Sequence, residues 1–492
     1  MKRPTTLGEL KASGWTPKSV RDELRTNLIE SLRRGENVFE GIVGFDRTVL
    51  PQVQNAILSR HDFILLGLRG QAKTRILRTL PRLLDERIPM VDGSEIRDDP
   101  MKPIGADSLR RLQEMGDDLP IRWVEREERY HEKLATPDVT IADLIGDLDP
   151  IKAARRQLEF ADPEVIHYGL VPRSNRGILA INELPDLSAR IQVGLLNILE
   201  EGDVQIRGFP VRLPLDICLV FSANPEDYTN RGSIITPLRD RIASQILTHY
   251  PRSVAEAMRI TAQEAWIERT GEVKVLVPDY LRHVIEEVAF QARGSDFVDQ
   301  RSGVSARMTI ALMENVISNA ERRALGAGEE RTVARVGDLL SAVSAVSGKI
   351  ELVYDGEREG VRKVSLMLLG KAIQAVFDAR LPDAYAEGPG GEGGEAGASH
   401  YEDVAGWFQA GNGVELADDL AGSELCERLG VVTGLERVAR EFLPVDDEAS
   451  LGAAMEFVVE GLHQRSVLSR QELVGGFAYG DMLAEMARSL ES

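Results

Sequence analysis

The residues best suited to chemistry form a glycine-bearing turn within HDFILLGLRGQAKTRILRTL, residues 61–80. An apolar run, Phe63 to Leu66, is typical of a buried parallel strand, and Lys73 and Thr74 open a helix-forming stretch. The spacing G-x-x-x-x-G-K-[ST] is met at Gly67, Lys73 and Thr74. Backbone N–H groups of such a turn bind phosphate at a helix N-terminus, while the lysine reaches the β/γ oxygens and the threonine holds Mg²⁺. The pattern therefore predicts nucleotide binding.

The turn departs from the usual pattern at one position. Ala72 stands where a second glycine is usual, and Gly70 supplies backbone freedom two residues earlier. An alanine is accommodated there if its φ is negative. We include Gly70, Gln71 and Ala72 among the predicted phosphate-binding residues.

Two further apolar runs end in polar side chains. Ile178 to Ile181 is followed by Asn182 and Glu183, and the run in LDICLVFSANPED ends at Asn224. The carboxyl ends of parallel strands face the ligand crevice, so these side chains are predicted to point at the nucleotide. Hydrolysis requires one group on the Mg²⁺ shell and one carboxylate that orients water. Asn224 is placed to contact the γ-phosphate or that water.

Arginines provide the remaining candidates. Arg239 and Arg241 lie in TPLRDRI, and Arg307 lies in the first turn of a predicted helix after residue 304. A guanidinium forms bidentate pairs with phosphate oxygens. Taken in isolation, Arg239 and Arg241 are better explained as surface arginines at a helix start, and Arg307 is also compatible with a solvated arginine.

Composition limits the class of protein. The net charge is −20, from 59 basic and 79 acidic residues, so nucleic acid is not an expected partner. No apolar run approaches the roughly 18 residues of a membrane span. We therefore expect a cytoplasmic protein.

At 492 residues the chain is too long for one core, and composition suggests several segments. The glycine- and glutamate-rich stretch 386–399 is typical of a flexible linker, across which few contacts are expected. The predicted segments are an N-terminal helical arm (1–37), an α/β core (38–252) with an insertion at about 100–140 and a β-hairpin at about 203–214, an α-helical lid (253–385), the linker (386–399) and a mainly helical C-terminal domain (400–492).

Six motifs follow one another in the order found in an AAA+ ATPase module: GIVGFD, GLRGQAKT, GILAINE, FSANPED, LRDRI and SARMTIAL. Together they resemble the clade of magnesium chelatase ATPase subunits and MoxR-type ATPases, over about residues 38–345. The resemblance implies an α/β P-loop core, a parallel sheet with helices on both faces, followed by an all-α lid. It also implies ATP and Mg²⁺ as cofactors, a ring oligomer, most simply a hexamer, and a von Willebrand A-type adaptor protein.

The resemblance also implies roles for individual residues. Ile42 and Val43 would line the adenine, and Gly67, Gly70, Lys73 and Thr74 would bind phosphates and Mg²⁺. Glu183 would be the catalytic carboxylate, Asn224 the first sensor, Arg241 the finger inserted into the neighbouring subunit's site and Arg307 the lid sensor. Arg239 is one residue away from the family position. Asn182 stands where the family has aspartate, which predicts weaker metal binding and slow turnover.

Three functions follow as hypotheses. The first is a ring ATPase that remodels a partner protein, and the second is the ATPase subunit of a true magnesium chelatase that inserts Mg²⁺ into a porphyrin. The third is a nucleotide-gated scaffold, which nucleotide binding switches between states, with little ATP hydrolysis because Asn182 replaces the usual aspartate. A ring-type transcription activator is disfavoured, since the sequence has neither a GAFTGA-like loop nor a basic DNA-reading helix.

Overall fold

The computed structural model describes residues 3–157, 163–206, 212–224, 233–271, 273–384 and 400–482, and divides the chain into two compact units, Met1–His249 and Tyr250–Ser492. The linker predicted at 386–399 and the tip of the hairpin predicted at 203–214 lie outside the described residues. Among the described helices, none is both long and apolar enough to cross a membrane.

A five-stranded parallel sheet forms the centre of the first unit. We number its strands in chain order: β1 (Phe63–Leu66), β2 (Tyr130–Leu134), β3 (Gly177–Asn182), β4 (Ile217–Ala223) and β5 (Ser244–Leu247). Their order in space is β5-β1-β4-β3-β2. The inner strands are continuous apolar runs because both of their faces are buried. One face packs on the N-terminal helices and the helix after β1, and the other packs on the helices and turns of residues 135–242.

The remaining elements of the first unit surround this sheet. Its α-helices are Leu7–Ala12, Val20–Arg34, Val49–Leu58, Lys73–Leu77, Ala106–Met115, Ile141–Leu144, Pro150–Arg156, Leu170–Arg173, Ala189–Gly194, Leu196–Glu201 and Thr236–Arg241. Short 3₁₀ turns span Leu80–Leu83, Gly116–Asp118, Arg126–Arg129, Pro163–Val165 and Leu184–Asp186. Antiparallel strand pairs outside the sheet are Arg87–Val91 with Ile121–Glu125, Gly146–Leu148 with Ile166–Tyr168, and Asp203–Gln205 with Arg212–Pro214.

The predicted arm is part of this unit. Ser19 caps the helix Val20–Arg34 by accepting from the N–H of Asp22, and Gly35 ends it with a left-handed φ of 68°. Val20 and Leu24 on this helix join the core beside the sheet. A buried ion pair at 2.6 Å, between Glu23 and the Arg129 guanidinium, fixes the helix to the start of β2.

The segment predicted as an insertion differs from expectation. Residues 100–140 do contain the expected strand, seen as Ile121–Glu125, but they also contain β2, the edge strand of the central sheet. The sequence of β2, YHEKL, lacks the apolar run of the other strands because an edge strand with partly exposed side chains does not require one.

The second unit is built around one hydrophobic core. Its helices are Val254–Glu264, Asp279–Arg293, Arg307–Ala327, Val336–Ser341, Val343–Ser347, Tyr354–Glu359, Val361–Arg380, Glu402–Gln409, Gly422–Gly430, Leu435–Phe442 and Glu448–Gln464. Strands Lys274–Leu276 and Arg331–Val333 pair in parallel, and Val414–Ala417, Gly476–Asp481 and Leu468–Leu473 form an antiparallel sheet in that order.

Three expectations for this unit need correction. The lid is not all-α, because it carries the parallel strand pair. Within the C-terminal domain predicted as mainly helical, the stretch ELVGGFAYGD forms a hairpin around Gly475, whose φ is 83°. In addition, the predicted lid and C-terminal domain share a single core rather than having one each. Phe457 shows this, because its ring lies 4.7 Å from that of Tyr280 and 6.3 Å from that of Phe377, centroid to centroid.

Candidate functional site

The glycine-bearing turn follows β1 directly and is closed against the neighbouring strands. The N–H of Gly67 donates to the carbonyl of Ala223 at 3.1 Å, and the Thr248 hydroxyl donates to Gln71 Oε1 at 2.7 Å. A Cβ on Gly67 would lie 1.9 Å from Thr248 Oγ1 and 2.2 Å from Gln71 Oε1. A side chain at this position would therefore displace the Thr248 hydroxyl and the Gln71 amide, which support the turn by their hydrogen bond.

Lys73 begins the helix after the turn. Its side chain is buried, and its ammonium donates to the carbonyls of Gly67 and, at 3.0 Å, Leu68. The lysine is thus folded over the turn, with the half-buried Thr74 beside it at the helix start. A cation above a concave turn at a helix N-terminus is suited to bind phosphate.

The backbone of this turn does not meet the condition stated for an unstrained alanine. Ala72 has a φ of 53° and a ψ of 15°, not a negative φ. Gly70 also has a positive φ, 75°, but a glycine adopts it without steric cost. An L-residue in this region is strained by roughly 1–2 kcal/mol, and strain of this kind is concentrated at functional sites.

Asn182 is the last residue of β3, and both the oxygen and the nitrogen of its side-chain amide form hydrogen bonds. Its Oδ1 accepts from the Ser222 hydroxyl at 2.8 Å, and its Nδ2 donates to Glu132 Oε1 at 2.8 Å. Glu183 follows at once with a left-handed φ of 54°, and is half-buried. The Asn182 oxygen keeps a second lone pair for a metal-bound water.

Glu132 was missed by sequence reasoning because β2 was read as part of an insertion. Its carboxylate accepts from Arg78 Nε at 2.7 Å and Nη2 at 2.9 Å, as well as from Asn182. Arg78 directly follows the helix Lys73–Leu77, so the pair joins β2 to the phosphate-loop helix. The side chain of Glu132 is on the same face of the sheet as Tyr130, which packs towards that helix. In a strand, residues two positions apart point to the same face, and this period of two in YHEKL is the sequence pattern that could have predicted the position of Glu132.

Strand register brings three predicted residues to one edge of the sheet. Ala223 of β4 pairs with Leu66 of β1, so the buried Asn224, the next residue, lies opposite Gly67. Phe221 of β4 pairs with Ile181 of β3, so Asn224 lies two residues beyond the level of Asn182. The sequence predicted this grouping from the strand ends alone.

The residues predicted to line an adenine lie next to the same turn. Ile42 is buried and Val43 half-buried, between Gly41 and Gly44, which both have a φ of 82°. Just downstream, the Phe45 ring lies 4.9 Å from that of His249. His249 follows Thr248, the residue that holds Gln71, so this segment adjoins the loop.

The candidate arginines lie on two helices, one in each unit. Arg241, at the end of Thr236–Arg241, forms an ion pair with Glu200 at 2.6 Å, while Arg239 on the same helix is exposed. Arg307 is exposed at the first position of Arg307–Ala327 in the second unit.

The donor set fits a hard cation held mainly by a nucleotide. Among the described residues, no group of three or more His, Cys, Asp or Glu side chains is arranged to hold a metal by itself. Thr74 and Asn182 offer neutral oxygens, which suit Mg²⁺ when phosphates and water supply the other ligands.

Fold and site together resemble the P-loop nucleotide-binding core of AAA+ ATPases. Within that class, the chain resembles the magnesium-chelatase 38 kDa subunit of Cereibacter sphaeroides, at 29% identity over 46% of this chain and 64% of that protein. It also resembles the hydrogenase transcriptional regulatory protein HoxA of Cupriavidus necator, at 29% identity over 25% of this chain and 23% of that protein.

These curated relatives are matched over less than two thirds of their own length. No protein-family model matches the chain. A solved complex of the magnesium chelatase subunits BchI and BchD aligns with a TM-score of 0.34 and 20% identity, over 65% of this chain and 98% of that one. A score this low supports no conclusion about function.

Proposed function

We propose that this chain is an ATPase that binds ATP at the Gly67–Thr74 turn and hydrolyses it. The observation that carries the proposal is the meeting of this turn with Asn182, Glu183 and Asn224 at the carboxyl edge of one parallel sheet. A phosphate cradle alone indicates binding. A carboxylate two strands away adds the group that hydrolysis requires.

The roles follow from position. Backbone N–H groups from Gly67 to Thr74 and the Lys73 ammonium bind the phosphates, and Ile42 and Val43 cover the base. When bound, Mg²⁺ neutralises phosphate charge, with Thr74 and Asn182 as its protein-side oxygens. Glu183 orients or deprotonates the attacking water, and Asn224 donates to the γ-phosphate or to that water.

Glu183→Gln tests the chemistry. Losing a positioned base typically costs on the order of 10² to 10⁴ in rate, so the hydrolysis rate falls by that factor while ATP affinity is retained. Asp186→Asn, a carboxylate three residues further on, is the matched control and leaves the rate unchanged. Hydrolysis that survives Glu183→Gln would remove this carboxylate from the mechanism.

We propose further that the active form is a ring, most simply a hexamer, in which Arg241 acts on a neighbour's γ-phosphate. The Glu200 pair holds Arg241 at the surface of its own subunit and would exchange for phosphate on assembly. Arg241→Ala subunits mixed with Glu183→Gln subunits regain part of the hydrolysis, because some sites then combine an intact Glu183 with an intact arginine. Mixtures of assembled variants that show no regain would contradict the shared site. Arg307 is proposed as a second arginine on the nucleotide.

The work performed is proposed to be remodelling of a partner protein, reached through a von Willebrand A-type adaptor. The similarity to magnesium-chelatase 38 kDa subunits favours a second candidate, an ATPase that drives Mg²⁺ into a porphyrin. Capture with the Glu183→Gln variant and ATP separates them. An adaptor and its client retained only with ATP supports remodelling, whereas a porphyrin-binding subunit supports chelation. Capture without any turnover in the wild type would favour the nucleotide-gated scaffold.

A further inference from the structure

Four side chains on neighbouring elements form a continuous hydrogen-bonded chain beside the proposed site. The Ser222 hydroxyl on β4 donates to Asn182, Asn182 on β3 donates to Glu132, and Glu132 on β2 accepts from Arg78. The first two contacts are 2.8 Å long, and Arg78 binds the carboxylate through two nitrogens at 2.7 and 2.9 Å. Ser222 and Asn182 are buried, and the Glu132 side chain is 22% exposed.

This arrangement accounts for an amide at position 182. The group facing Glu132 must donate, and an amide nitrogen can do so whereas an ionised carboxylate cannot. An aspartate at this position would bring two carboxylates to hydrogen-bond distance in a partly desolvated place, where like charges repel strongly. Relative to the aspartate that the resemblance predicts at position 182, the acidic group here lies on β2 instead.

We propose that Glu132 is the positioning carboxylate of the magnesium shell in this chain: it supplies from β2 the negative charge that is lacking at position 182, and it orients the Asn182 amide. This assignment rests on the proposed function. Arg78 contributes by tying Glu132 to the helix that begins with Lys73 and Thr74, so that the acidic group keeps a fixed place relative to the phosphate loop. Groups that orient metal ligands in this way commonly change metal affinity 10- to 100-fold.

A double-mutant cycle tests the hydrogen bond between Asn182 and Glu132. Asn182→Asp alone lowers the midpoint of thermal unfolding, measured without nucleotide, by about 4 °C, roughly the effect of 1–2 kcal/mol in a unit of this size. Combined with Glu132→Gln, the same substitution costs little more than Glu132→Gln alone. The introduced glutamine amide then donates to the introduced carboxylate, and the hydrogen bond is remade with its direction reversed.

The second measurement concerns the metal. With a fluorescent ATP analogue, Glu132→Gln raises the Mg²⁺ concentration needed for half-maximal binding by roughly tenfold, and the double variant returns it to the wild-type value. Glu125→Gln is the matched control, because Glu125 pairs with Arg87 at 2.6 Å on a neighbouring strand pair away from Asn182. It leaves the Mg²⁺ midpoint unchanged.

The two readouts separate the possible failures. Additive effects in the thermal cycle would overturn the Asn182–Glu132 hydrogen bond whether or not the chain binds ATP. A Mg²⁺ midpoint that Glu132→Gln does not move would overturn its place in the metal shell. If the wild type binds no nucleotide, the proposed function fails, and the metal assignment with it, while the thermal cycle still tests the hydrogen bond.

Discussion

The two units of this chain place their polar groups differently, although each buries an ion pair, Glu23 with Arg129 in the first and Arg323 with Asp338 in the second. In the first unit, the groups singled out by sequence lie at the carboxyl edge of a parallel sheet, where a ligand can reach them. In the second unit, charged groups lie inside the core: Arg323 and Asp338 are 3% and 0% exposed, and they form an ion pair at 3.0 Å.

The buried groups of the second unit join segments that are distant in sequence. Arg323 donates to the carbonyl of Leu420 at 3.4 Å, and Arg335 donates to those of Ala417 at 2.9 Å and Asp418 at 3.1 Å. The comparison teaches that polar groups at a sheet edge can act on a ligand, while polar groups buried across segments determine which segments fold together.

Deleting residues 400–492 gives the largest expected effect. It removes Phe457 from between Tyr280 and Phe377, and it takes the Leu420 carbonyl from Arg323 and the Ala417 and Asp418 carbonyls from Arg335. We therefore expect the rest of the second unit to lose cooperative unfolding and to aggregate. Calorimetry and limited proteolysis measure this. Cleavage at a protease site inserted within 386–399 is the control, after which both pieces should stay associated. A soluble deletion variant with its unfolding transition intact would restore the separate domain that the sequence predicted.

Asp338→Asn tests the buried ion pair alone. Asp338 accepts from Arg323, from Asn319 Nδ2 at 2.9 Å and from the Arg335 N–H at 3.0 Å, so loss of its charge leaves a buried guanidinium uncompensated. Breaking such a pair typically costs about 3–5 kcal/mol. Denaturant unfolding measures the loss.

An exposed pair in the same unit supplies the control for that substitution. Glu472→Gln removes the partner of Arg362, whose side chain is 63% exposed, and should leave the free energy of unfolding nearly unchanged because solvent screens the pair. Equal losses in the two variants would show that burial does not set the difference between them.

Lys73→Ala tests the first unit, where polar groups are proposed to act on a ligand. A charge-assisted hydrogen bond to phosphate contributes about 1.5–3 kcal/mol, which corresponds to a 10- to 100-fold loss of ATP affinity. The free energy of unfolding should fall by no more than about 1–3 kcal/mol, because the buried Gly67 carbonyl loses its donor, whereas water can replace the ammonium at the carbonyl of the half-buried Leu68. Titration with a fluorescent analogue and denaturant unfolding measure both, with Arg82→Ala, an exposed cation nearby, as the control. A large loss of stability with normal affinity would assign Lys73 a structural role.

Ala72→Gly has the smallest expected effect. Glycine adopts the left-handed conformation found at this position without the clash of a Cβ, so stability should rise by about 1 kcal/mol. Ala56→Gly, inside the helix Val49–Leu58, should change stability by a similar amount in the opposite direction. If both substitutions destabilise, the strain at Ala72 is not released by removing its Cβ.

The sequence predicted those parts of the site that are formed by residues close together in the chain. The turn from Gly67 to Thr74, the strand before it and the strand ends at Asn182 and Asn224 are short local patterns, and the parallel sheet follows from three apolar runs. The roles assigned to Arg241 and Arg307 stay predictions, because they depend on a neighbouring subunit or on a bound nucleotide.

By itself, the sequence determined the α/β core, the position of the phosphate loop and the substitution of an amide for an acid at position 182. Only the tertiary structure decided that Glu132 faces this amide, that Ala72 is strained and that the last segment shares the core of the lid. The physical reason is sequence separation. Asn182 and Glu132 are 50 positions apart, and Arg335 and Ala417 are 82 apart, so each contact depends on strand pairing or on core packing that no local pattern specifies.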